Sequence, residues 1–472
     1  MKRRLRVPLE RANLELHLGD MDRQSRPALR PVESIVVPDK EHGRVLVLRD
    51  TQGVTESHAV IQPVLASVVV RFAGLQTCEE IAVEASAEVG TVIPVDVVVR
   101  LASELERGLF LEGPVYRAAR ARVEKEFADA PTRAATHAGG AYYGERGALE
   151  RYIDEACLAK ANGHAGKRAN GGKSNGANGS NGANGANGAH APGVTPGASG
   201  TGVKGTAAGT MRALVAPHID PWRGAVGYGH AYAAMAAAIP DAVDTFVLIG
   251  TSHAPMREPF ALCRKAFDTP LGAVQADGEA IDALAARASA FDPFADQFNH
   301  KREHSLEFQV VFLKHVLKDR PFRIVPVLAG LGAQQSSGAN PDGDPRIAGF
   351  MDGVRDLVDS RPGRVVVVAG ADLAHVGPRF GDPQPYGEEK RASLEKADRA
   401  SLEHAVSLDA DGFWSHVVAD LEERRVCGLA PIWSLLRALG PGGGKGKVLH
   451  YEQTVDGEDG SIVSHAAVGF YG

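Results

Sequence analysis

Residues 244–255 read DTFVLIGTSHAP, an apolar and largely β-favouring run that ends at Gly250 and is followed by His253. The other runs of this kind, which alternate with stretches of helical periodicity, are RALVAPH (212–218), FRIVPVLAG (322–330) and GRVVVVAGADLAH (363–375). Strands that alternate with helices are typical of a layered α/β domain around a mostly parallel sheet. We therefore predict an α/β fold for this part of the chain. Two late runs with no helix between them, 447–455 and 461–472, are expected to add antiparallel strands.

Length and composition narrow the class of protein. The chain has 472 residues and a formal net charge of −6, which favours two or three domains and gives no electrostatic case for nucleic acid binding. No apolar run approaches the roughly 20 residues that span a bilayer, and the basic N-terminus lacks the apolar stretch of a secretory signal. The four scattered cysteines form no CxxC pair, which is typical of a reduced compartment. We predict a cytoplasmic protein with neither nucleic acid nor membrane as partner.

The clearest change of composition is a tract of repeated Asn-Gly with Ala and Ser. The tract has almost nothing to bury, so residues 160–209 are predicted to be disordered. The preceding segment, 132–158, carries one amphipathic helix with Leu149 and Cys157 on one side and is too short to fold alone. We expect this helix to pack on the residues after the tract. The tract is then an insertion within one α/β domain of residues 132–472.

Residues 1–125 form a separate N-terminal region in this interpretation. Its middle part, about 58–115, has the pattern of three short helices and a strand at LFLEG (109–113), with Thr77 as a helix cap and Gly108 as a helix end. This order resembles the PqqD-like winged-helix domains, and the resemblance implies binding of a peptide or a partner protein. A generic helical cap fits the same pattern equally well.

Histidines follow three of the predicted parallel strands, close to the point where each strand ends. His218 follows the first strand, His253 the second and His375 the fourth, where Asp372 lies beside it. Open α/β sheets bind their ligands at the carboxyl ends of the strands. One such histidine alone reads as a loop residue that caps a helix, but the repetition at equivalent positions indicates a site.

Another polar stretch, NHKREHSLEF (299–308), precedes an apolar helix. We interpret His304 as a residue that lines the pocket and Glu307 as a favourable charge in the first helical turn. The charged run 301–303 is interpreted as a solvated approach, and His300 is given no role.

Cys427 in RRVCGLAPIWSLL (424–436) precedes a glycine and an apolar helix. A single cysteine near a helix N-terminus is either a nucleophile or metal ligand with a lowered thiol pKa, or a buried apolar residue. Imidazoles with one thiolate suit copper, zinc or iron and not magnesium. The sequence contains no phosphate loop, G-x-S-x-G elbow, HExxH motif or dinucleotide-binding glycine fingerprint.

Seven ordered motifs resemble the MEMO family, also called AmmeMemoRadiSam system protein B. They are APH with RG and GYGHAYAAM (216–235), FVLIGTSHAP (246–255), DTPLG (268–272), REHSLEFQVVFLK (302–314), RIVPVLAG (323–330), VVVAGADLAHVGPRF (366–380) and VCGLAPIWSLL (426–436). The stretch at 134–156, AATHAGGAYYGERGALERYIDEA, resembles the start of the family's domain. The resemblance therefore covers about 132–472 without the Asn-Gly tract.

This resemblance implies an α/β/α sandwich like that of the class III extradiol dioxygenases. Asp372 and His375 match residues that either support the ligands of the family's metal site or lie on its substrate side, and His304 matches a histidine that lines the pocket. As partners, the resemblance implies a radical SAM protein and an AMMECR-type protein. The resemblance also implies a transition metal ion, iron or copper rather than zinc. Its implied ligands are His218, His253 and Cys427.

Two positions depart from the family's usual pattern. Asp220 stands where a glycine is usual, either near the metal or simply paired with Arg223. His465 stands where an aromatic residue is common, either as a fourth nitrogen donor or as a core-facing strand residue.

Three functions are consistent with these residues. In the first, the metal site carries out oxidation or redox chemistry related to that of extradiol dioxygenases, with His375 or His304 as acid or base and Asp372 orienting a histidine. In the second, the protein binds metal and a partner of a radical SAM-associated system without turnover. In the third, Cys427 is the nucleophile of a hydrolase, and one of the metal-binding histidines is its base.

Overall fold

The structure, a computed structural model, describes residues 21–161 and 209–472. The predicted disordered insertion at 160–209 lies, except for its ends, outside the described residues. The α/β fold predicted for the later part of the chain is confirmed, because a nine-stranded sheet has helices packed on both of its faces.

The strands are β1 (Glu33–Asp39), β2 (Gly43–Arg49), β3 (Ala59–Ile61), β4 (Thr132–Arg133), β5 (Met211–Ala216), β6 (Thr245–Thr251), β7 (Phe260–Leu262), β8 (Ala266–Phe267), β9 (Gln275–Ala276), β10 (Arg323–Ala329), β11 (Val365–Gly370), β12 (Asp372–Val376), β13 (Lys445–Val455) and β14 (Ile462–Tyr471). The helices are α1 (Pro63–Val69), α2 (Cys78–Val89), α3 (Val95–Arg107), α4 (Pro114–Asp129), α5 (Arg146–Tyr152), α6 (Pro221–Ala238), α7 (Gly278–Arg287), α8 (His304–Leu317), α9 (Gly332–Ser337), α10 (Pro345–Ser360), α11 (Glu388–Val406), α12 (Ala410–Val418), α13 (Leu421–Arg424) and α14 (Leu429–Leu439). A π-helical turn, Ile153–Leu158, continues α5.

The central strands of the large sheet are parallel and share one carboxyl edge. The sheet order is β12-β14-β5-β11-β6-β10-β7, with β13 paired to β14 and β9 paired to β10. Strands β5, β11, β6 and β10 are parallel, whereas β14 is antiparallel to β5, β12 and β13. The carboxyl ends of β5, β6 and β11 therefore lie side by side, which is where sequence analysis expects a site.

The stretch 363–375, predicted as one strand, forms two. Strand β11 pairs with β5 and β6, and after Ala371 the chain continues as β12, which pairs only with β14. The strand breaks where its partners change: β11 pairs with β5 and β6 up to Gly370, and from Asp372 the chain pairs with β14. The two late strands are antiparallel as predicted, and β14 lies inside the sheet, with β13 on one side and β5 and β12 on the other.

Alternate residues of the central strands point to the two faces of the sheet. In β6, Val247 and Ile249 are buried among α7, α10, α12 and α14, whereas Phe246 and Leu248 are buried among α5, α6 and α8. Side chains of a strand alternate in direction, so a run that is apolar at every position needs cover on both faces. The continuous apolar runs seen in the sequence are the consequence of this three-layer arrangement.

The segment before the Asn-Gly tract packs on α6, as expected. Leu149 and Cys157 are buried in the same core as Tyr228 of α6. A Cβ atom at Gly229 would come within 2.2 Å of the carbonyl oxygen of Cys157, so only glycine allows the two helices to lie this close.

The N-terminal region has a core of its own around α1, α2 and α3. The three predicted helices are present, and the predicted cap at Thr77 is confirmed as a capping box with Glu80. The prediction of a strand at 109–113 is wrong. Leu109 adopts a left-handed φ of 63°, and Leu111 makes only an isolated bridge to Leu29. Pro114 then begins α4, because its fixed φ suits the first position of a helix. The hairpin of this region, β1–β2, precedes the helices, and the division at residue 125 stays a prediction.

Candidate metal centre

Three donor side chains meet at the carboxyl edge of the sheet. His218 lies two residues beyond β5, His253 two residues beyond β6, and Cys427 two residues before α14. One side-chain nitrogen from each histidine and the cysteine sulfur all lie within 4.8 Å of one another. Sequence analysis predicts these three as ligands, and the parallel strands bring them together from positions that span more than 200 residues.

His218 is buried and held in one orientation. Its backbone N–H donates to Asp372 Oδ1 at 2.9 Å, and its ring Nδ1 lies 3.0 Å from the carbonyl oxygen of Gly370. A carbonyl oxygen can only accept, so Nδ1 is the protonated nitrogen and Nε2 is left to bind. Nε2 lies 3.1 Å from the sulfur of Cys427.

Glu303 orients His253 in the same way. Its carboxylate accepts the backbone N–H of His253 at 2.9 Å, and the two carboxylate oxygens lie 3.0 Å and 3.1 Å from the ring Nδ1. The same carboxylate caps α8 by accepting the N–H of Ser305 at 2.9 Å. Because Glu303 is bound to both the ring and the helix, it fixes the ring and turns Nε2 towards the other two donors.

Cys427 lies in a turn that is tied to the beginning of β12. The N–H of Gly428 donates to the carbonyl oxygen of Asp372 at 3.0 Å, and the hydroxyl of Thr251 donates to the carbonyl oxygen of Cys427 at 3.0 Å. A Cβ atom at Gly428 would come within 2.1 Å of the Asp372 carbonyl oxygen, so a glycine is needed directly after the cysteine. The thiol is therefore placed by backbone contacts and not by the helix alone.

The charges of neighbouring histidines favour the thiolate form of Cys427. Desolvation opposes ionisation, but the positive charges of His218 and His375 bring the pKa of the Cys427 thiol well below its usual value. In return, the thiolate and Asp372 outweigh the effect of burial on His218 and raise the pKa of His218 to about 9. Burial would also lower the pKa of His253, but Glu303 outweighs it and raises that pKa well above the usual value.

The donor set fits a borderline or soft transition metal ion. It offers two imidazole nitrogens and one thiolate, a combination that suits copper, iron or zinc. Each imidazole also has its other nitrogen fixed by an acceptor, which is the usual arrangement for histidine ligands.

The other predicted site residues surround this cluster. Asp372 is buried and holds the backbone of His218. His375 is half-buried in β12, with its Nδ1 3.2 Å from the carbonyl oxygen of Leu373. His304 begins α8, and its ring stacks on His253 with the centroids 4.6 Å apart.

The two departures from the family pattern have structural explanations. Asp220 caps α6 and forms an ion pair with Arg223, which is one of the two roles considered for it. His465 is fully buried in β14, and its Nε2 lies 3.1 Å from the hydroxyl of Thr454. Within the described residues, the donor clusters that could hold an ion do not include it.

The interpretation of residues 301–303 as a solvated approach is wrong. Glu303 is only 5% exposed and orients His253, as described above. Lys301 donates to the carbonyl oxygen of Gly53 at 2.9 Å, and Arg302 pairs with Glu56 at 2.8 Å. These basic side chains contact the N-terminal region, which a local interpretation of the sequence does not anticipate.

A second carboxylate–histidine pair was not predicted from the sequence. Glu307 is buried and forms an ion pair with Arg133, and it also accepts hydrogen bonds from Tyr142 and from the backbone N–H of His137. The ring Nδ1 of His137 lies 3.0 Å from Glu307 Oε2. The only sequence signal was the histidine in the motif AATHAGG (134–140), which carried no assigned role.

His253 lines two cavities. The Cys427 cavity, of about 520 Å³, is lined by His253, Cys427 and mainly small or apolar residues such as Met256 and Leu331. The His304 cavity, of about 340 Å³, is lined by His253, Glu303, His304 and His137 on its inner side.

The outer wall of the His304 cavity belongs to the N-terminal region. It is formed by residues from the segment 50–58, which we call the 50–58 loop, and by neighbouring strand residues such as Arg49. Asp50 holds the loop together by accepting the backbone N–H groups of Val54 at 2.6 Å and Thr55 at 2.9 Å. Gly53 has a φ of 70°, and a Cβ atom there would lie 2.2 Å from the side chain of Arg302. The loop is thus packed tightly against the segment that leads into α8.

His300, which was given no role, is a buried neutral histidine. Its Nε2 lies 3.0 Å from the carbonyl oxygen of Ala261, and its Nδ1 has no hydrogen-bond partner among the described residues. Burial lowers the pKa of His300 to about 4. Its protonation is therefore linked to folding.

His300→Gln is expected to flatten the pH dependence of stability. Between pH 6.5 and pH 4 the unfolded chain binds a proton at this histidine and the folded chain does not, so the free energy of unfolding falls as the pH falls. The loss amounts to about 3 kcal/mol across this window. Urea denaturation of the metal-free chain at pH 7 and pH 4.5 measures it, with His404→Gln as an exposed control. Parallel pH profiles for wild type and His300→Gln would contradict the assignment.

Comparisons with known proteins agree with the ordered motifs. A family model described as Memo-like protein matches residues 199–469, more than half of the chain. A MEMO1 family protein of Aquifex aeolicus is 29% identical over 261 residues, covering 55% of this chain and 64% of its own length. A MEMO1 family protein of Methanosarcina mazei is 27% identical over 253 residues, covering 53% of this chain and 84% of its own length. The match to the Aquifex protein thus spans less than two thirds of that protein.

Among solved structures, the uncharacterized protein JW3007 from Escherichia coli K12 is 17% identical, with a TM-score of 0.34. The alignment covers 55% of this chain and 99% of that protein. None of the helices in the described part of this chain is long and apolar enough to cross a membrane.

Proposed function

Because the chain belongs to the Memo-like protein family, we propose that it is a metal-binding protein whose ion, iron or copper, serves oxidation or redox chemistry related to that of extradiol dioxygenases. The proposed ligands are His218 Nε2, His253 Nε2 and Cys427 Sγ. One observation carries the proposal: both histidines have Nδ1 committed to an acceptor, so their free nitrogens converge on one thiolate. A bound ion of this kind would supply redox chemistry and a Lewis acid.

His304 and His375 are the proposed proton-transfer groups, and their pKa values differ in direction. Burial and the nearby charge of His253 hold the pKa of His304 well below its usual value, so His304 is a neutral acceptor. The Cys427 thiolate outweighs desolvation and raises the pKa of His375, so His375 holds its proton more firmly. Two titratable groups with pKa values pushed apart suit an acid and a base. These shifts belong to the metal-free chain, in which His253 and Cys427 carry their full charges, so one of His304 and His375 is the proposed acid and the other the proposed base.

Asp372 is the proposed positioning residue. Its carboxylate accepts the backbone N–H of His218, and its carbonyl oxygen accepts the N–H of Gly428 beside Cys427. One residue therefore ties two of the proposed ligands together. The partners implied for the family, a radical SAM protein and an AMMECR-type protein, stay predictions.

Anaerobic purification followed by elemental analysis tests the metal site, and oxygen uptake with catechol-like compounds tests the chemistry. We expect about one iron or copper ion per chain, as three converging donors imply. A chain that binds no transition metal ion overturns the proposal. A chain that binds metal but takes up no oxygen with any of these compounds overturns its dioxygenase part.

A hydrolase with Cys427 as nucleophile is the second candidate. It is favoured by the distance of 3.1 Å between Cys427 Sγ and His218 Nε2, with the thiol pKa lowered and the imidazole pKa raised as in a thiolate–imidazolium pair. Iodoacetamide distinguishes the two functions. A metal-bound thiolate is protected from alkylation, whereas a catalytic thiolate reacts while any metal stays bound.

A further inference from the structure

Two carboxylates at the beginning of α8 each hold a histidine: Glu303 caps the helix, and Glu307 lies in its first turn. Glu303 holds Nδ1 of His253, and Glu307 holds Nδ1 of His137 at 3.0 Å. Residues four apart on a helix lie on the same face. The two imidazoles therefore border one cavity, with the ring of His304 between them.

His137 reaches this position from the segment before the Asn-Gly tract. Its ring lies edge-on to His304 with the centroids 5.7 Å apart, and it also contacts Phe308 with the centroids 5.7 Å apart. The side chain is 23% exposed and lines the His304 cavity. The described structure gives its Nε2 no hydrogen-bond partner, and this nitrogen is not among the buried unpaired atoms. The ring therefore has one nitrogen without a partner among the described residues, and the residue lines the cavity.

The surroundings of Glu307 fix which nitrogen of His137 carries the proton. Arg133 outweighs the effect of burial and keeps the pKa of Glu307 well below its usual value, so the carboxylate only accepts. Nδ1 of His137 must then donate to it. In the neutral ring this leaves a lone pair on Nε2, which makes that atom a hydrogen-bond acceptor.

A purely structural role does not require this imidazole. Glu307 is already held by Arg133, Tyr142, Thr136 and the backbone N–H of His137. These contacts anchor the segment around residues 133–142 without the ring. The imidazole adds an oriented acceptor that faces the space beside the proposed metal ligands.

We propose that His137, oriented by Glu307, accepts a hydrogen bond from a hydroxyl group of the substrate in the His304 cavity. The proposal rests on the proposed function, because it places the reacting part of the substrate at the neighbouring metal site. The ligand class is a small hydroxyl-bearing molecule that reaches from His253 to His137. His137 is then a specificity-determining residue of the His304 cavity, which His253 also lines.

Catechol is the probe, and the full-length chain is used with and without iron. In the metal-free chain, diethylpyrocarbonate followed by peptide mass spectrometry should modify His137 at a rate comparable to that of His404. His404 is a suitable reference because its Nδ1 is also held by a carboxylate, that of Asp409, at 2.8 Å. In the iron-loaded chain under anaerobic conditions, bound catechol should protect His137 and leave His404 reactive.

Variants then measure the hydrogen bond itself. His137→Ala and His137→Gln should keep the metal content of the wild type but weaken catechol binding about tenfold, the loss expected for one hydrogen bond. His404→Ala is the matched control and should change neither quantity. His137→Gln keeps an amide donor for Glu307 and moves the acceptor to an amide oxygen on a flexible side chain, so it separates loss of the positioned acceptor from loss of folding.

Several results would overturn the proposal. The first is that His137 does not react in the metal-free chain. The second is that bound catechol does not protect His137, and the third is that both variants bind catechol with the affinity of the wild type. Loss of metal in both variants would overturn it as well, since His137 would then be a ligand. If the wild type takes up no metal, the proposed function fails on its own, and the reactivity of His137 in the metal-free chain still decides whether its nitrogen faces the cavity.

Discussion

Cys427→Ser is expected to reduce transition metal affinity by at least about 100-fold, because loss of a ligand exceeds the 10–100-fold cost of losing a group that only orients one. A serine hydroxyl stays protonated at neutral pH and is a poor ligand for borderline and soft ions. The substitution is nearly isosteric, so the turn held by Gly428 and Thr251 should be unaffected. Equilibrium dialysis with elemental analysis measures the loss.

The control for this experiment is Cys78→Ala, which removes a buried thiol from the N-terminal core. This variant should lose some stability but no metal. Thermal unfolding adds an independent readout, since an ion that binds only the folded chain raises the midpoint of the wild type. That increase should disappear in Cys427→Ser. Unchanged metal content in Cys427→Ser would remove Cys427 from the site.

Glu303→Gln is expected to weaken metal binding by about 10- to 100-fold, the usual cost of removing a carboxylate that orients a histidine ligand. Glutamine keeps an oxygen that can cap α8 at Ser305, but it removes the charge beside His253. The ring is then free to turn, and the pKa of His253 should fall because Glu303, together with Cys427, opposes the effect of burial and raises it. Competition with a chromogenic chelator measures the affinity.

Asp277→Asn is the matched control, because Asp277 is a buried carboxylate that caps α7 at the other end of the sheet. It should destabilise the fold without changing metal affinity. Glu303→Gln that retains wild-type affinity would show that the ring of His253 is fixed by other contacts, such as the stacking on His304.

The positions of His218, His253 and Asp372 follow from sequence because parallel strands share a carboxyl edge. A run such as 246–251 identifies its strand, and the residues directly after it must lie at that edge. The break at Ala371 does not follow in the same way. It depends on β14, a pairing partner some 90 residues further along the chain.

Glu303 and His137 could not be assigned from their local sequence. Glu303 lies in a charged run that resembles a solvated surface, and its partner His253 is 50 residues earlier. His137 is 170 residues from Glu307 and is separated from it by the Asn-Gly tract. A role that depends on a partner far away in the chain leaves no periodic pattern in the sequence, so it cannot be predicted from that pattern. The strand predicted at 109–113 failed for a related reason, because its apolar residues are buried by the N-terminal core without a ladder.

The 50–58 loop and the proposed metal ligands belong to different parts of the chain, so the loop can vary between relatives while the ligands stay the same. The proposed ligands lie within residues 199–469, which the Memo-like family model matches, whereas this loop lies far outside them. Two members of the family can therefore share the proposed ligands and differ in the residues that line the His304 cavity. In this chain one wall of the His304 cavity belongs to the N-terminal region, so a graft of residues 21–125 onto a relative would transfer that wall without changing the proposed ligands.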